Sequence, residues 1–240
     1  MSFLRLSGLR AGYGQADVLR GVDLGIEAGS ITCVIGPNGA GKSTILKVLS
    51  GLLKPRRGRV ELEGSSIGGL SPAAILARGI VHVPQDRSLF PLMTIWDNIL
   101  IGGHSLGDRA LVAERAERIA QRFPIVAERR HERAGTLSGG QQKLIEIARS
   151  LMLDPRLVML DEPTMGLDAK TRRAVFDTIG TLNEDGRTVL LVEQNARLGL
   201  SVADVGAVMD MGVVRLAGPA AELLDDERVA ALYLGGAAAA

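Results

Sequence analysis

The stretch of sequence that decides the fold runs from residue 31 to residue 44 and reads ITCVIGPNGAGKST. Its first five residues form an uninterrupted apolar run, which is typical of a strand buried on both faces. The remainder matches the pattern G-x-x-x-x-G-K-[ST], and a helical pattern follows over 42–52. Glycines let the N–H groups of such a loop face phosphate oxygens, and the helix N-terminus adds positive potential. The segment therefore predicts a site for the phosphates of a nucleotide.

Individual residues of this loop have separate expected roles. Lys42 is expected to reach the β- and γ-phosphates, and the Ser43 hydroxyl is expected to ligate Mg²⁺. The nucleotide-binding residues predicted from the loop are Gly36, Pro37, Asn38, Gly39, Ala40, Gly41, Lys42, Ser43 and Thr44.

Strand-like and helix-like patterns alternate along most of the chain. Short apolar runs lie at 31–35, 80–83, 157–160 and 189–192, and helical patterns at 42–52, 109–123, 139–152 and 169–184. Such alternation predicts a mostly parallel sheet covered on both faces. The first 30 residues instead alternate between apolar and polar positions, with glycines between the runs, which predicts an antiparallel flank. We expect an α/β fold: a phosphate-loop ATPase core with a mostly parallel sheet, an antiparallel β flank at the N-terminus and a helical subdomain.

The domain organisation is expected to be simple. A chain of 240 residues is long enough for one sizeable α/β domain. We expect a single domain over 1–236, with the helical subdomain at about 86–155, followed by a short alanine tail at 237–240.

Composition excludes several classes of protein. The net charge is +1 and hydrophobic residues make up 46% of the chain, so the sequence is neither disordered nor dominated by a nucleic-acid-binding charge. A lone cysteine, Cys33, cannot form an internal disulfide, which favours a reducing compartment. No stretch approaches 18 uncharged apolar residues, so we expect any role at a membrane to depend on a partner.

A second motif supplies carboxylates. Residues 157–162 read LVMLDE, an apolar strand that ends in Asp161 and Glu162. A carboxylate at the carboxyl end of a strand suits the Mg²⁺ partner of a phosphate loop, so Asp161 is expected to hold the ion. The neighbouring Glu162 is placed to polarise the attacking water.

A third motif, LSGGQ at 137–141, precedes a helical pattern. Alone it predicts only a capped helix N-terminus with exposed amides. Together with the phosphate loop upstream and the Asp-Glu pair downstream, however, it resembles the ATP-binding cassette (ABC) ATPases. The resemblance covers essentially the whole chain and implies ATP and Mg²⁺ as cofactors.

The resemblance also assigns further residues. Tyr13 matches the aromatic residue that stacks on adenine, and Gln85 matches a glutamine that touches Mg²⁺ and water and couples the site to the membrane partner. Asp168 matches a loop that crosses between two ATPase subunits, and Gln194 occupies the position of a catalytic histidine. The motif that caps the γ-phosphate of the second subunit's nucleotide corresponds to Ser138, Gly139, Gly140 and Gln141.

Three shorter runs narrow the resemblance: VEQN at 192–195, VHVPQ at 81–85 and ALYLGG at 231–236. They are similar to an ATPase subunit of branched-chain amino-acid importers. Asp168-Ala169 departs from the Ala-Pro common in that subfamily, so importers of urea or short-chain amides remain an alternative.

The implied partners are a second ABC ATPase subunit (the same or a homologous chain), transmembrane permease subunits and a periplasmic or extracellular substrate-binding protein, with no nucleic acid. The implied location is the cytoplasmic face of the plasma (inner) membrane, as a peripheral subunit. Trp96, the only tryptophan, is interpreted either as core or as part of the groove that receives the permease.

Two other classes of protein are alternatives to an importer ATPase. A non-transport ABC ATPase acting on DNA or ribosomes usually has two cassettes or a long coiled-coil insertion, and this chain has one cassette and no heptad insertion. A degenerate cassette that only binds ATP is favoured by Gln194 alone, because Lys42, Asp161 and Glu162 are all present.

Overall fold

The structure, a computed structural model, describes residues 2–229. This part of the chain contains ten strands and nine α-helices. The strands are β1 (Leu4–Tyr13), β2 (Ala16–Ile26), β3 (Ile31–Ile35), β4 (Arg57–Leu62), β5 (Ser65–Ser66), β6 (Ile80–Val83), β7 (Leu157–Asp161), β8 (Thr188–Glu193), β9 (Val205–Asp210) and β10 (Val213–Pro219). The helices are α1 (Lys42–Leu49), α2 (Pro72–Leu76), α3 (Ile95–Gly102), α4 (Arg109–Arg122), α5 (Pro124–Glu128), α6 (Gly139–Ser150), α7 (Ala169–Glu184), α8 (Ala196–Leu200) and α9 (Ala220–Leu224).

The larger sheet has six strands in the order β10-β9-β3-β8-β7-β6. All of its pairings are parallel except β9 with β10, so the predicted mostly parallel sheet is confirmed. The register places Ile35 opposite Glu193, and Asp161 opposite Val192. The carboxyl ends of β3, β7 and β8 therefore meet at one edge, which is where ligands bind in open α/β sheets.

The smaller sheet is antiparallel and has the order β2-β1-β4-β5. Its first hairpin confirms the predicted N-terminal flank. Strands β4 and β5 are not evident from the sequence pattern, because three of the first four residues of β4 are exposed and are arginine or glycine.

The core lies on both faces of the six-stranded sheet. Residues alternate along each strand, so Cys33 and Ile35 belong to one apolar cluster while Val34 belongs to the other. The first cluster receives the buried faces of α6 and α7, and the second receives α1 and the antiparallel sheet. This sandwich explains why the sheet strands read as continuous apolar runs.

Helices α3 to α6 lie between β6 and β7, where a mainly helical segment was expected. Within 86–135 the only strand-like pairing found in the described residues is an isolated bridge between Thr94 and Arg133. Helix α1 ends at Leu49 and not at residue 52, because Gly51 adopts a left-handed φ of 74°. No helix within residues 2–229 is long and apolar enough to cross a membrane. The run ALYLGG at 231–236 and the tail at 237–240 lie outside the described residues.

Candidate functional site

The phosphate loop connects β3 to α1 at the centre of the larger sheet. Gly39 and Gly41 have φ values of 80° and 104°, a conformation that side chains other than glycine rarely adopt. A Cβ atom on Gly36 would lie 2.2 Å from the carbonyl oxygen of Met209, so the close approach of β9 also requires glycine there. Helix α1 begins at Lys42 with no side-chain cap, which leaves its N-terminus suited to an anion.

Lys42 is buried inside this loop. Its ammonium group donates hydrogen bonds to the carbonyl oxygens of Gly36 at 2.9 Å and Pro37 at 3.2 Å. It also lies 3.4 Å from the Glu162 carboxylate, and the two side chains are only 4% and 7% exposed. Contacts within the loop and with Glu162 thus fix the position of the cation.

Ser43 and Asp161 form the second contact between the phosphate loop and the end of β7. The Ser43 hydroxyl donates to Asp161 Oδ1 at 2.9 Å. Burial raises the pKa of the Asp161 carboxyl and the neighbouring Glu162 adds to this, although the Ser43 hydrogen bond and Lys42 oppose it. A cation bound beside Asp161 would offset this burial and favour the ionised carboxylate.

Glu162 has an unusual backbone conformation for a non-glycine residue, with a φ of 43°. Its N–H donates to the carbonyl oxygen of Val192 at 2.9 Å, which ties this turn to β8. Its side chain is also held, since Gln85 Nε2 donates to Glu162 Oε2 at 3.2 Å. Strain of this kind is typical of functional sites, and here it turns the carboxylate toward both Lys42 and Gln85.

The donors around Ser43 fit Mg²⁺ by their chemistry. A serine hydroxyl, the Asp161 carboxylate and the side-chain amide oxygen of Gln85 are hard oxygen ligands, which Mg²⁺ prefers. Within residues 2–229 there is no cluster of three His, Cys, Asp or Glu side chains that would hold a metal without further ligands.

A cleft of about 720 Å³ opens beside these residues. Pro37, Asn38, Glu162 and Gln194 all line it. Gln194 follows β8 directly and is exposed, so its amide is free to meet a ligand in the cleft. The cleft therefore joins the phosphate loop, the carboxylate and the glutamine that the sequence placed at a histidine position.

Tyr13 lies at the end of β1, and its side chain is 49% exposed. The ammonium group of Lys47, on α1, lies 5.6 Å from the centroid of the Tyr13 ring. The aromatic ring thus stands beside the helix that follows the phosphate loop, with one face available for stacking.

The predicted γ-phosphate-capping segment, Ser138 with Gly139, Gly140 and Gln141, forms the N-terminus of α6. Ser138 Oγ accepts from the Gln141 N–H at 3.4 Å, and Gln141 Oε1 accepts from the Ser138 N–H at 3.1 Å. This is a capping box, as the local sequence predicted. The four residues do not line the cleft beside Glu162, so they do not meet the chain's own phosphate loop there.

Asp168 caps the N-terminus of α7. Its carboxylate accepts from the Thr171 N–H at 3.0 Å and from the Thr171 hydroxyl at 2.6 Å. These hydrogen bonds lower the pKa of the exposed Asp168 carboxyl. Leu167, the preceding residue, lines the cleft, whereas Asp168 does not.

A second groove, of about 410 Å³, contains Gln85 and is also lined by Ser43 and Asp161. Exposed Leu52 and Leu76 line it together with His82 and Asp86. Burial lowers the pKa of His82 to about 4, with smaller contributions from the positive charges of Lys47 and Lys143. His82 is therefore neutral at physiological pH.

Trp96 packs against the larger apolar cluster and is half-buried. The Arg130 guanidinium lies 4.4 Å from the centroid of its ring. The nearby Phe90 and Leu92 are exposed, at 47% and 81%. Trp96 thus contributes to the core with part of its surface and lies close in sequence to exposed apolar residues.

Sequence reasoning missed one buried contact in the site. The Thr164 hydroxyl donates to Glu193 Oε1 at 2.7 Å, and both residues line the cleft. Burial raises the pKa of the Glu193 carboxyl, and this hydrogen bond opposes the shift. The two residues come from different elements, so only the fold brings them together.

Comparisons with known proteins agree with this geometry. The profile of the ABC transporter family matches residues 19–165, more than half of the chain. The high-affinity branched-chain amino acid transport ATP-binding protein BraG of Pseudomonas aeruginosa is 37% identical over 224 residues, which cover 93% of this chain and 96% of BraG. The probable branched-chain amino acid transport ATP-binding protein LivF of Archaeoglobus fulgidus is 37% identical over 233 residues, covering 97% and 98%.

A solved structure gives the same result at the level of the fold. The ADP conformation of an ATP-binding cassette of an ABC transporter superposes with a TM-score of 0.87 at 32% identity, covering 98% of this chain and 99% of that one. Nucleotide binding and ATP hydrolysis are characteristic of this family. The chain belongs to the ABC transporter family, as one of its ATP-binding domains.

Proposed function

We propose that the chain is the ATP-hydrolysing subunit of an importer that takes up branched-chain amino acids through separate permease subunits. The observation that carries the ATPase part is the connected set of contacts among Lys42, Ser43, Asp161, Glu162 and Gln85. The importer part is supported by the names of BraG and LivF, which match almost the whole chain.

Lys42 and the loop amides would hold the phosphates. The ammonium group donates to the loop carbonyls of Gly36 and Pro37, and it would exchange these partners for phosphate oxygens when ATP binds. The exposed ring of Tyr13 would stack on adenine, since a stacked base needs an open aromatic face.

Ser43 and Asp161, with the amide oxygen of Gln85, would hold Mg²⁺. The ion would supply positive charge that neutralises the β- and γ-phosphate oxygens. Asp161 contributes a buried carboxylate, and Ser43 contributes a hydroxyl already directed at it.

Glu162 would act as the general base that polarises the attacking water, and Gln85 would orient it through the 3.2 Å hydrogen bond. Gln194 would donate its amide N–H to the γ-phosphate, because an amide offers two donors although it cannot titrate as histidine does. The cleft lined by Glu162 and Gln194 has room for both the phosphate and the water.

The active state would be a head-to-tail pair of ATPase subunits. The exposed N-terminus of α6, at Ser138, would cap the γ-phosphate of the nucleotide on the second subunit. Asp168 would lie in the loop that crosses between the two subunits, close to the cleft through Leu167. Either a second copy or a homologous chain would serve as partner.

The permease would dock on the exposed Leu52 and Leu76 of the groove that also contains Gln85 and the proposed Mg²⁺ ligands. The exposed leucines beside Gln85 would form an apolar surface for a helix of the permease. Gln85 would connect this surface to Glu162 through its hydrogen bond. Docking there would place the chain at the cytoplasmic face of the plasma membrane, with a substrate-binding protein on the opposite side. Residues 1–236 would act as one domain, with a helical part at about 86–155 that includes α6.

The test is transport by the assembled complex. We expect proteoliposomes that contain the chain, its permeases and the binding protein to accumulate labelled leucine only with Mg²⁺ and ATP. Unlabelled isoleucine should compete, and urea should not. Uptake that is blocked by urea or acetamide but not by isoleucine would assign the alternative substrate, and hydrolysis without any uptake would contradict the importer proposal.

A further inference from the structure

A polar cluster on α6 contacts the segment that follows β6, which we call the glutamine segment (residues 84–88). The cluster consists of the buried Lys143 and Glu146 and the half-buried Arg149, spaced three residues apart along the helix. Lys143 is 8% exposed and Glu146 is 2% exposed. Charged groups are buried at this level only when specific partners stabilise them.

Each member of the cluster has such a partner in the glutamine segment. Lys143 Nζ donates to the carbonyl oxygens of Pro84 at 2.9 Å and Gln85 at 3.4 Å. Glu146 Oε1 accepts from the Ser88 N–H at 2.5 Å. Lys143 and Glu146 also pair with each other, with 2.7 Å between Nζ and Oε2.

Arg149 completes the contact at the far end of the segment. Its guanidinium donates to the Ser88 carbonyl oxygen at 2.9 Å and to the Ser88 hydroxyl at 2.6 Å. One helix therefore holds both ends of the glutamine segment, mainly through its backbone. Replacement of a residue within the segment leaves most of these contacts in place.

The position of the cluster connects it to the catalytic residues through Gln85. Lys143 contacts the carbonyl of the same Gln85 whose side chain donates to Glu162. Lys143 lies about one and a half turns from Ser138, the residue that caps the N-terminus of α6. Helix α6 therefore connects Gln85, at the chain's own nucleotide site, to Ser138, which would face the nucleotide on the second subunit.

We infer that Lys143, held in place by Glu146, is a positioning residue for Gln85 and links the two nucleotide sites of the subunit pair through α6. The inference rests on the proposed function. Lys143 fixes the backbone of Gln85 so that its amide reaches Glu162. A displacement of Ser138 on closure of the pair is then transmitted to Gln85 through α6, and the reverse holds when the glutamine segment moves.

The experiment compares Lys143→Met with Lys54→Met, which makes the same change at an exposed lysine. Hydrogen exchange measures how well the backbone amides of the glutamine segment are protected, and it does not require an active enzyme. We expect the Ser88 amide to exchange about tenfold faster in Lys143→Met and unchanged in Lys54→Met, because loss of the ammonium frees Glu146. Lys143→Arg should restore slow exchange, and this variant separates positioning from a failure to fold.

A double-mutant cycle in the ATP-hydrolysing complex tests the route through Gln85. We expect Lys143→Met to lower kcat about fivefold in the parent protein and less than about twofold in the Gln85→Ala background, because residues that act through one another are not additive. The KM for ATP should stay within about twofold, since Lys143 does not contact the phosphate loop.

Two outcomes overturn the inference: equal fold-losses in both backgrounds, or unchanged Ser88 exchange in Lys143→Met. In either case hydrolysis by the parent complex leaves the proposed function standing. Absence of hydrolysis by the parent complex would instead contradict the proposed function itself.

Discussion

Replacement of Lys42 by methionine tests whether the buried ammonium and the Glu162 carboxylate stabilise each other in the nucleotide-free chain. Both side chains are less than a tenth exposed and lie 3.4 Å apart. Methionine keeps the apolar stem but removes the charge, so Glu162 stays buried without its cation. Loss of one partner of a buried pair costs about 3–5 kcal/mol, and we expect about 2–3 kcal/mol here because the Gln85 hydrogen bond remains.

The assay is urea unfolding at neutral pH without nucleotide, for Lys42→Met, Glu162→Gln and the double variant. We expect the double variant to recover about 1–2 kcal/mol relative to the sum of the single losses, since removal of both charges leaves no buried ion unpaired. Lys54→Met, at an exposed lysine, should leave the free energy of unfolding within about 0.5 kcal/mol of the parent.

The same variant has a second, independent expectation for nucleotide binding. Two charge-assisted hydrogen bonds to phosphate oxygens are worth roughly 3 kcal/mol together, so the Kd for ATP should rise about 100-fold or more. Strict additivity in the unfolding cycle would contradict the ion pair, and ATP affinity unchanged in Lys42→Met would refute the assignment of the phosphate loop.

Three further predictions concern other residues of the site and its surroundings. Gln194→Ala should lower steady-state hydrolysis by the assembled complex about tenfold, the effect of one lost hydrogen bond to a charged group; a rate within twofold of the parent would make Gln194 an ordinary loop residue. The pKa of His82 is about 4 in the folded chain and about 6.5 in the unfolded chain, so protons favour unfolding as the pH falls through that interval. Unfolding by urea at pH 7 and pH 5 should show a loss of about 1–2 kcal/mol that is absent in His82→Gln; equal losses in both proteins would assign the pH dependence to other groups. A Cβ on Gly140 would lie 1.8 Å from Thr171 Cγ2, so Gly140→Ala should destabilise by about 1–3 kcal/mol in the same assay, and addition of Thr171→Ser should recover part of that loss; no recovery would place the strain elsewhere.

The parts of the fold that sequence predicts well are those determined by local pattern. The four sheet strands read as apolar runs because both faces of the sheet are covered, and each was placed to within a residue at either end. The phosphate loop is equally recognisable in the sequence. Its glycines are required by the left-handed backbone conformation of the loop and by the close approach of β9. Strand β4 was missed because Arg57, Gly58 and Arg59 face solvent and give no apolar alternation.

The parts of the site that sequence could not predict depend on contacts between distant elements. The motifs identify Lys42 and Glu162 as site residues, but they do not predict that the two side chains form an ion pair with each other. The i, i+3 spacing of Lys143 and Glu146 is compatible with an ordinary surface ion pair on a helix. Only the packing of α6 against the glutamine segment shows that the pair is buried and directed at backbone groups.

Glu162→Gln in the assembled complex tests whether Glu162 activates water for ATP hydrolysis in this chain. Steady-state hydrolysis and equilibrium ATP binding are measured on the same preparation. We expect hydrolysis to fall about 100-fold or more, because an amide cannot accept the proton, while the Kd for ATP stays within about threefold of the parent. Hydrolysis within tenfold of the parent, at the same affinity for ATP, would show that Glu162 is not the group that activates the water.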